Sequence, residues 1–253
     1  MTTRVVLHPI RGLPLVRPGD DLAELLAASL AADDLSLADG DVLVVAQKVV
    51  SKAEGRLVRL ADVTPSAAAV DLAARVGKDP RLVEVILGES RAVLRAVPGV
   101  LIVETRLGFI CANAGVDHSN VAGDEEWVAL LPADPDASAA TVRAALRRRS
   151  GAEVAVLIND SHGRPWREGA VGVAIGAAGI AAVADLRGRL DLYGRPLRAT
   201  TVGTIDELAA AASLVMGQAD EAVPAVLVRG VAFATDDGGA RAVQRAAGRD
   251  LFR

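Results

Sequence analysis

Asp41-Val42-Leu43-Val44-Val45-Ala46 runs straight into Gln47-Lys48-Val49-Val50-Ser51-Lys52-Ala53-Glu54-Gly55-Arg56. Four consecutive apolar residues leave no wet face, so residues 41–46 read as a strand buried within a sheet. A second run, Val154-Ala155-Val156-Leu157-Ile158, reads as another apolar strand and ends at Asn159-Asp160. Working outward, residues 3–7 and 225–228 read as strands, and 100–104 with 107–111 as a hairpin. Residues 9–18 form a turn-rich loop. Asp20 or Asp21 caps a helix to about Ala31, with Leu22, Leu25, Leu26 and Leu30 on one face. Pro65 and Pro80 open helices ending near Val76 and Leu87. Residues 138–149 form a helix whose three closing arginines suit a negative C-terminal dipole. Helices are also expected over 205–215 and 239–247. Strands and helices mix without a strict βαβ alternation, and neither an internal repeat nor a linker is visible. The expectation is a mixed α/β (α+β) fold, one compact unit over residues 1–253 with two lobes.

The chain has 253 residues, 51% of them hydrophobic, with mean hydropathy +0.33, which excludes a disordered chain. Aromatics are 2%, so the core is aliphatic and no stacking platform for single-stranded nucleic acid exists. Net charge −4 supplies no basic field for a nucleic acid backbone. Cys111 is the one cysteine, which excludes an intramolecular disulfide and a cysteine-built zinc or iron–sulfur centre. The opening residues carry no apolar leader, and a reduced, cytoplasmic setting is expected. The longest uncharged run, residues 169–184, is short for a membrane span and holds four glycines, so it reads as core.

The sequence has no GxxxxGK[ST], no GxGxxG after a strand and no GxSxG. His8, His118 and His162 make no i,i+4 metal pair, and His162 reads as a turn residue. Two oxygen-rich segments follow apolar strands: Asn113-Ala114-Gly115-Val116-Asp117-His118-Ser119-Asn120, and Asn159-Asp160-Ser161-His162-Gly163-Arg164. Asp117 and Asp160 at neighbouring strand ends can share a hard cation such as Mg²⁺ or Mn²⁺; the alternative is two turn aspartates capping loops. Lysine occurs only at 48, 52 and 78, and two of the three fall in one short segment. A compact ammonium there suits phosphate; the alternative is a solvated turn. Arg164, Arg167 and Arg195, near Trp166 and Tyr193, can hold an anionic or planar substrate, or form surface salt bridges. Cys111 reads as inert packing.

These segments carry a resemblance. Gly12-Leu13-Pro14 with Pro18-Gly19-Asp20-Asp21-Leu22, Gly40-Asp41-Val42-Leu43, Ser51-Lys52-Ala53-Glu54-Gly55-Arg56, Asn113-Ala114-Gly115-Val116-Asp117 with Ser119-Asn120-Val121, Asp160 with Gly163-Arg164, Asp191-Leu192-Tyr193-Gly194-Arg195, and Met216-Gly217 with Pro224-Ala225 follow one another over nearly the whole chain. Together they resemble the coenzyme F420-0:L-glutamate ligase family, the γ-glutamyl ligases of deazaflavin coenzyme biosynthesis.

The resemblance implies a GTP-dependent, divalent-metal-dependent amide ligase and a two-lobed protomer in an intertwined homodimer. GTP phosphorylates the terminal carboxylate of the F420-0 precursor, the amine of L-glutamate attacks the acyl phosphate, and further glutamates are added through γ-linkages. The metal is Mg²⁺ or Mn²⁺, up to two ions per site, with K⁺ as a further cation. Metal ligands carry over to Asp117, Asp160 and Ser161, with Gln218 where a metal-binding glutamate can occur. Nucleotide contacts carry over to Pro9, Ile10, Arg11, Gly12, Gln47, Lys48, Lys52 and Asn120, and to Met216, Gly217, Gln218, Ala219, Asp220, Glu221, Ala222 and Val223. Gln47 and Lys48 stand where some relatives have small hydroxyl residues. The catalytic assignments are Lys52, Asp117 and Asp160, with Arg164, Arg167 and Arg195 for substrate. No C-terminal flavin reductase domain is expected, and neither nucleic acid nor membrane is a partner. The competing readings are a metal-dependent nucleotide phosphotransferase or hydrolase, and a non-catalytic GTP-binding module.

Overall fold

The computed structural model describes residues 4–121 and 125–250. In chain order the elements are β1 (Val6–Ile10), α1 (Leu22–Ala32), β2 (Val42–Ala46), α2 (Gln47–Ala53), β3 (Leu57–Arg59), α3 (Ala67–Val76) and α4 (Pro80–Gly88). Then come β4 (Ser90–Val97), β5 (Val100–Thr105), β6 (Ile110–Ala112), β7 (Trp127–Ala129), α5 (Pro135–Ser150), β8 (Ala155–Arg164) and β9 (Arg167–Ala178). β10 (Ala184–Asp185), β11 (Thr201–Val202), α6 (Thr204–Met216) and β12 (Ala225–Arg229) complete the list.

The two apolar runs lie side by side, whereas the strands before Asp117 and Asp160, expected to be neighbours, belong to different sheets. β2 and β8 are parallel neighbours at the centre of a five-stranded sheet ordered β1-β12-β2-β8-β9, whose other pairings are antiparallel. Both faces of β2 are buried, and the alternation of a strand splits them. Leu43 and Val45 pack with Leu26 of α1 and Leu146 of α5, while Val42 and Val44 pack with Ile205 and Ala209 of α6. A third core, around Val83, Ile86, Leu101 and Val103, belongs to a second lobe built from α3, α4 and the β4-β5-β6 sheet. The mixed α/β, two-lobed expectation matches this architecture.

Gly172 and Gly176 let the layers approach. A Cβ on Gly176 would lie 2.4 Å from the Pro135 carbonyl oxygen, and one on Gly172 would lie 2.2 Å from Ser213 Oγ and 2.5 Å from the Ala209 carbonyl oxygen. The first clears the start of α5 and the second the body of α6. A bulge between Ile158 and Asn159, seen in the β8–β9 register, separates the two contacts along the ladder.

Several boundaries differ from the sequence reading. The first strand runs to Ile10, so Pro9 is in the sheet rather than a loop; residue 3 lies outside the described residues. Pro9 is tolerated because β1 is an edge strand. Residues 47–53 form a helix that was not foreseen. Gln47, Lys48, Lys52 and Ala53 favour a helix while Val49, Val50 and Ser51 do not, the helix is short, and Ala46 provides no side-chain cap. β8 continues through Asp160 to Arg164, since pairing with β9 extends beyond the apolar segment. β4 was not foreseen; its pairing with β5 carries two register shifts. α5 begins at Pro135, where Asp134 Oδ1 accepts from the Ala137 N–H at 3.1 Å. The expected helix over 239–247 is only short 3₁₀ turns, broken where Gln244 turns extended. Among the described residues, no helix is long and apolar enough to cross a membrane.

Candidate functional site

A cleft of about 500 Å³ opens at the C-terminal end of β2 and beside the middle of β8. Its walls are residues 13–16, the start of α2, the loop after β6, the polar half of β8 and residues 216–224. Lys48 and Lys52 are its cationic side chains among the described residues; Asp117, Asp160, Asp220 and Glu221 are its carboxylates.

α2 follows β2 without a linker, so its first turn stands over the sheet edge. Lys48 and Lys52 are four residues apart and share a helix face. Lys48 Nζ lies 2.8 Å from Asp117 Oδ2 and donates to the Ser119 carbonyl and hydroxyl oxygens. Lys52 Nζ donates to the Asn120 carbonyl oxygen at 2.7 Å. Burial, with the neighbouring Lys48 charge adding to it, pulls the Lys52 ammonium below its usual range. Gln47 turns inward: Nε2 donates to Ser51 Oγ at 2.8 Å and to the Leu130 carbonyl at 3.1 Å, fixing α2 to the segment just after β7.

The loop carrying Asp117 is held in a rare conformation. Asn113, Ala114 and Gly115 all have left-handed φ, at 54°, 55° and 70°. Left-handed residues other than glycine persist only where their surroundings hold them, and Ala114 is buried in the second lobe's core. Asp117 then exchanges two backbone hydrogen bonds with Ala129, at 3.0 and 2.9 Å. Burial opposes ionisation of Asp117. The Lys48 ammonium and the Ser119 donors outweigh it and hold the carboxyl below its ordinary range. Asn120, also left-handed at 56°, donates from Nδ2 to the Ala219 carbonyl at 3.0 Å, tying this loop to the one after α6.

β8 presents alternate residues to opposite faces. Asn159 and Ser161 face α6 and the loop beyond it. Asn159 Nδ2 donates to Ser213 Oγ at 3.1 Å and to Met216 Sδ at 3.5 Å, and Ser161 Oγ donates to Gln218 Oε1 at 2.8 Å. Asp160 and His162 occupy the other face, with His162 Nε2 3.0 Å from Asp160 Oδ2. His162 is therefore a strand residue bonded to Asp160, not the turn residue expected. Glu221 Oε2 accepts from the Ala219 N–H at 2.8 Å, and that bond leads the causes holding its carboxyl below the usual range.

The cleft thus gathers Gln47, Lys48, Lys52, Asp117, Asn120, Asp160, Ser161 and the 216–223 loop. It does not gather the rest of the expected set. Ile10 is buried in the core, and the cleft wall begins at Leu13, just past Pro9, Arg11 and Gly12. Arg164 and Arg167 pair across the end of the β8–β9 hairpin, outside the lining. Arg195 is exposed on the arm between β10 and β11, in an ion pair with Asp191 at 2.9 Å and stacked 5.4 Å from the Tyr193 ring centre. Sequence reasoning missed Ser119 and Asn159 as cleft residues. The alternation of β8 was the signal that pointed Asn159 and Ser161 the same way. Cys111 is buried as expected, and burial pushes its thiol up to about 12.

The profile of the F420-0:Gamma-glutamyl ligase family matches residues 11–230, which includes every wall of this cleft. The chain belongs to that family. It is 50% identical to the coenzyme F420:L-glutamate ligase of Methanothermobacter thermautotrophicus, over 98% of this chain and 99% of that one. It is 53% identical to the enzyme of the same name from Methanopyrus kandleri, over 94% and 93%. A third, from Archaeoglobus fulgidus, is 44% identical over 99% and 97%. Membership in the γ-glutamyl ligase family bears out the resemblance and the enzyme class, a ligase.

Proposed function

We propose that this γ-glutamyl ligase joins L-glutamate to coenzyme F420-0, and γ-links further glutamate, at the cost of GTP. The observation that carries the reading is the convergence of two lysines, two aspartates and the loop after α6 on one cleft, in a chain of this family. A carboxylate oxygen of the precursor attacks the γ-phosphorus of GTP, the β–γ bridge bond breaks and GDP leaves. The uncharged amine of glutamate then attacks the acyl carbon, phosphate departs with the former carboxylate oxygen, and the amine nitrogen loses a proton.

The chain's own groups divide this work. Lys48 and Lys52 bring positive charge to a net-acidic molecule where triphosphate must bind. Asn120 keeps the Asp117 loop and the 216–223 loop in register, so that both close on one nucleotide. The donor set of Asp117, Asp160, Ser161 and Gln218 is all hard oxygen, which fits Mg²⁺ or Mn²⁺. Among the described residues no three His, Cys, Asp or Glu side chains form a metal cage. Mg²⁺ bound through nucleotide phosphates needs only one or two carboxylates. When bound, the cation neutralises charge on the transferring phosphoryl group.

Arg164 lies four residues beyond Asp160 on the same strand, about 13 Å away at strand rise. We assign it, with Arg167, to anionic parts of the precursor reaching out of the cleft. The test is phosphate release from GTP under defined mixtures. Release should require precursor and L-glutamate together, because a ligase keeps water from its acyl phosphate. Rapid release from GTP and metal alone would favour a hydrolase.

A further inference from the structure

Asp160 lines the cleft and His162 does not; the imidazole lies behind the carboxylate. The two side chains are 19% and 12% exposed, and Nε2 is 3.0 Å from Oδ2. Residues two apart on a strand are about 7 Å apart at the backbone, so this contact requires both side chains to lean together. Phe109, packed against the main core, meets the imidazole edge to face, with ring centres 6.4 Å apart and planes at 70°. That ring restricts the rotation that would release Asp160. The ladder partner of His162 is Val171, so no neighbouring strand residue competes for Nε2 from that side.

We propose that His162 is a positioning residue for Asp160: its imidazole holds one carboxylate oxygen in place and leaves the other for a divalent cation in the cleft. Carboxylates that bind metal are themselves held by hydrogen bonds, and removal of such a partner lowers metal affinity about 10–100-fold. The inference rests on the reading of Asp160 as a metal ligand. Its competitor is a purely structural role, with the His162–Asp160 pair pinning the hairpin.

The experiment measures Mn²⁺ affinity of the full chain with GDP present, by electron paramagnetic resonance, for wild type, His162→Ala, His162→Gln and Asp160→Asn. GDP affinity in chelator and thermal stability are measured beside it. The expected result for His162→Ala is Mn²⁺ binding about 10–100-fold weaker with metal-free GDP affinity unchanged. His162→Gln, which keeps an N–H near the same place, should recover most of the loss. If His162→Ala does not fold, Phe109→Leu supplies the comparison, since it frees the imidazole without removing it and should also weaken Mn²⁺. Wild-type Mn²⁺ affinity in His162→Ala, or in Phe109→Leu where that is the variant measured, overturns the proposal if Asp160→Asn has lost it. Unchanged affinity in Asp160→Asn overturns the metal reading itself, and the proposal with it. Equal losses in the Ala and Gln variants, tracking lost thermal stability, assign His162 to the structural role.

Discussion

Lys48 and Lys52 look alike in the sequence and differ in their surroundings. Lys48 is ion-paired to Asp117, whereas Lys52 bonds a backbone carbonyl and loses part of its hydration. Lys52→Ala should therefore weaken GDP binding by about 1.5–3 kcal/mol, the range for a hydrogen bond to a charged group. Calorimetric titration checks it. Burial and the Lys48 charge lower the Lys52 pKa, so its ammonium is lost at a lower pH than that of a free lysine. GDP affinity should then fall as pH rises through that lowered value. Lys52→Arg, which stays charged, should remove the alkaline fall. An alkaline limb of the same shape in the arginine variant would clear Lys52 of causing it. Cys111 gives a simpler check. With its thiol pushed up to about 12 and its side chain buried, it should not react with a thiol reagent at neutral pH until the protein unfolds.

The element scale explains which parts of the structure were legible. β2, β12, α1, α3, α4 and α6 announced themselves by apolar runs, helical periodicity, a capping aspartate, or a proline at or just before the helix start. α2 did not, because it lacks a side-chain cap and most of what holds it is tertiary: the Gln47 amide on Leu130 and the lysines on the Asp117 loop. The polar half of β8 was illegible for a related reason. Its pairing comes from β9, and local sequence alone calls Asn-Asp-Ser-His-Gly a loop. The site aspartates were legible because each follows an apolar run; the helix that carries Lys48 and Lys52 to them was not. Gly172 and Gly176 carried a meaning that spacing could not supply, close contact with two different helices. Gly172→Ala should destabilise the fold by about 1–3 kcal/mol, as an added methyl group must displace Ser213 and α6. Chemical denaturation reads this as a lower midpoint at unchanged slope. The same change should loosen the loop after α6 and weaken nucleotide binding.

Across the whole molecule, the second lobe leaves Val93, Leu94 and Val97 of its edge strand β4 exposed, with Val100 on β5 beside it and Ile110 on the opposite edge strand β6. An apolar edge of this kind is a liability unless covered. We take it as support for the homodimer that the family resemblance implies. Light scattering should find a dimer, and Leu94→Glu should shift it toward monomer; a wild-type chain that is monomeric at micromolar concentration would remove the dimer from the account. Mass spectrometry of F420-0 incubated with the protein, GTP, Mn²⁺ and L-glutamate should show a product heavier by one glutamyl residue. That product should be absent without GTP and absent with folded Asp117→Asn or Asp160→Asn protein, each of which loses a cleft carboxylate. Unmodified F420-0 after complete turnover of GTP would contradict the ligase account.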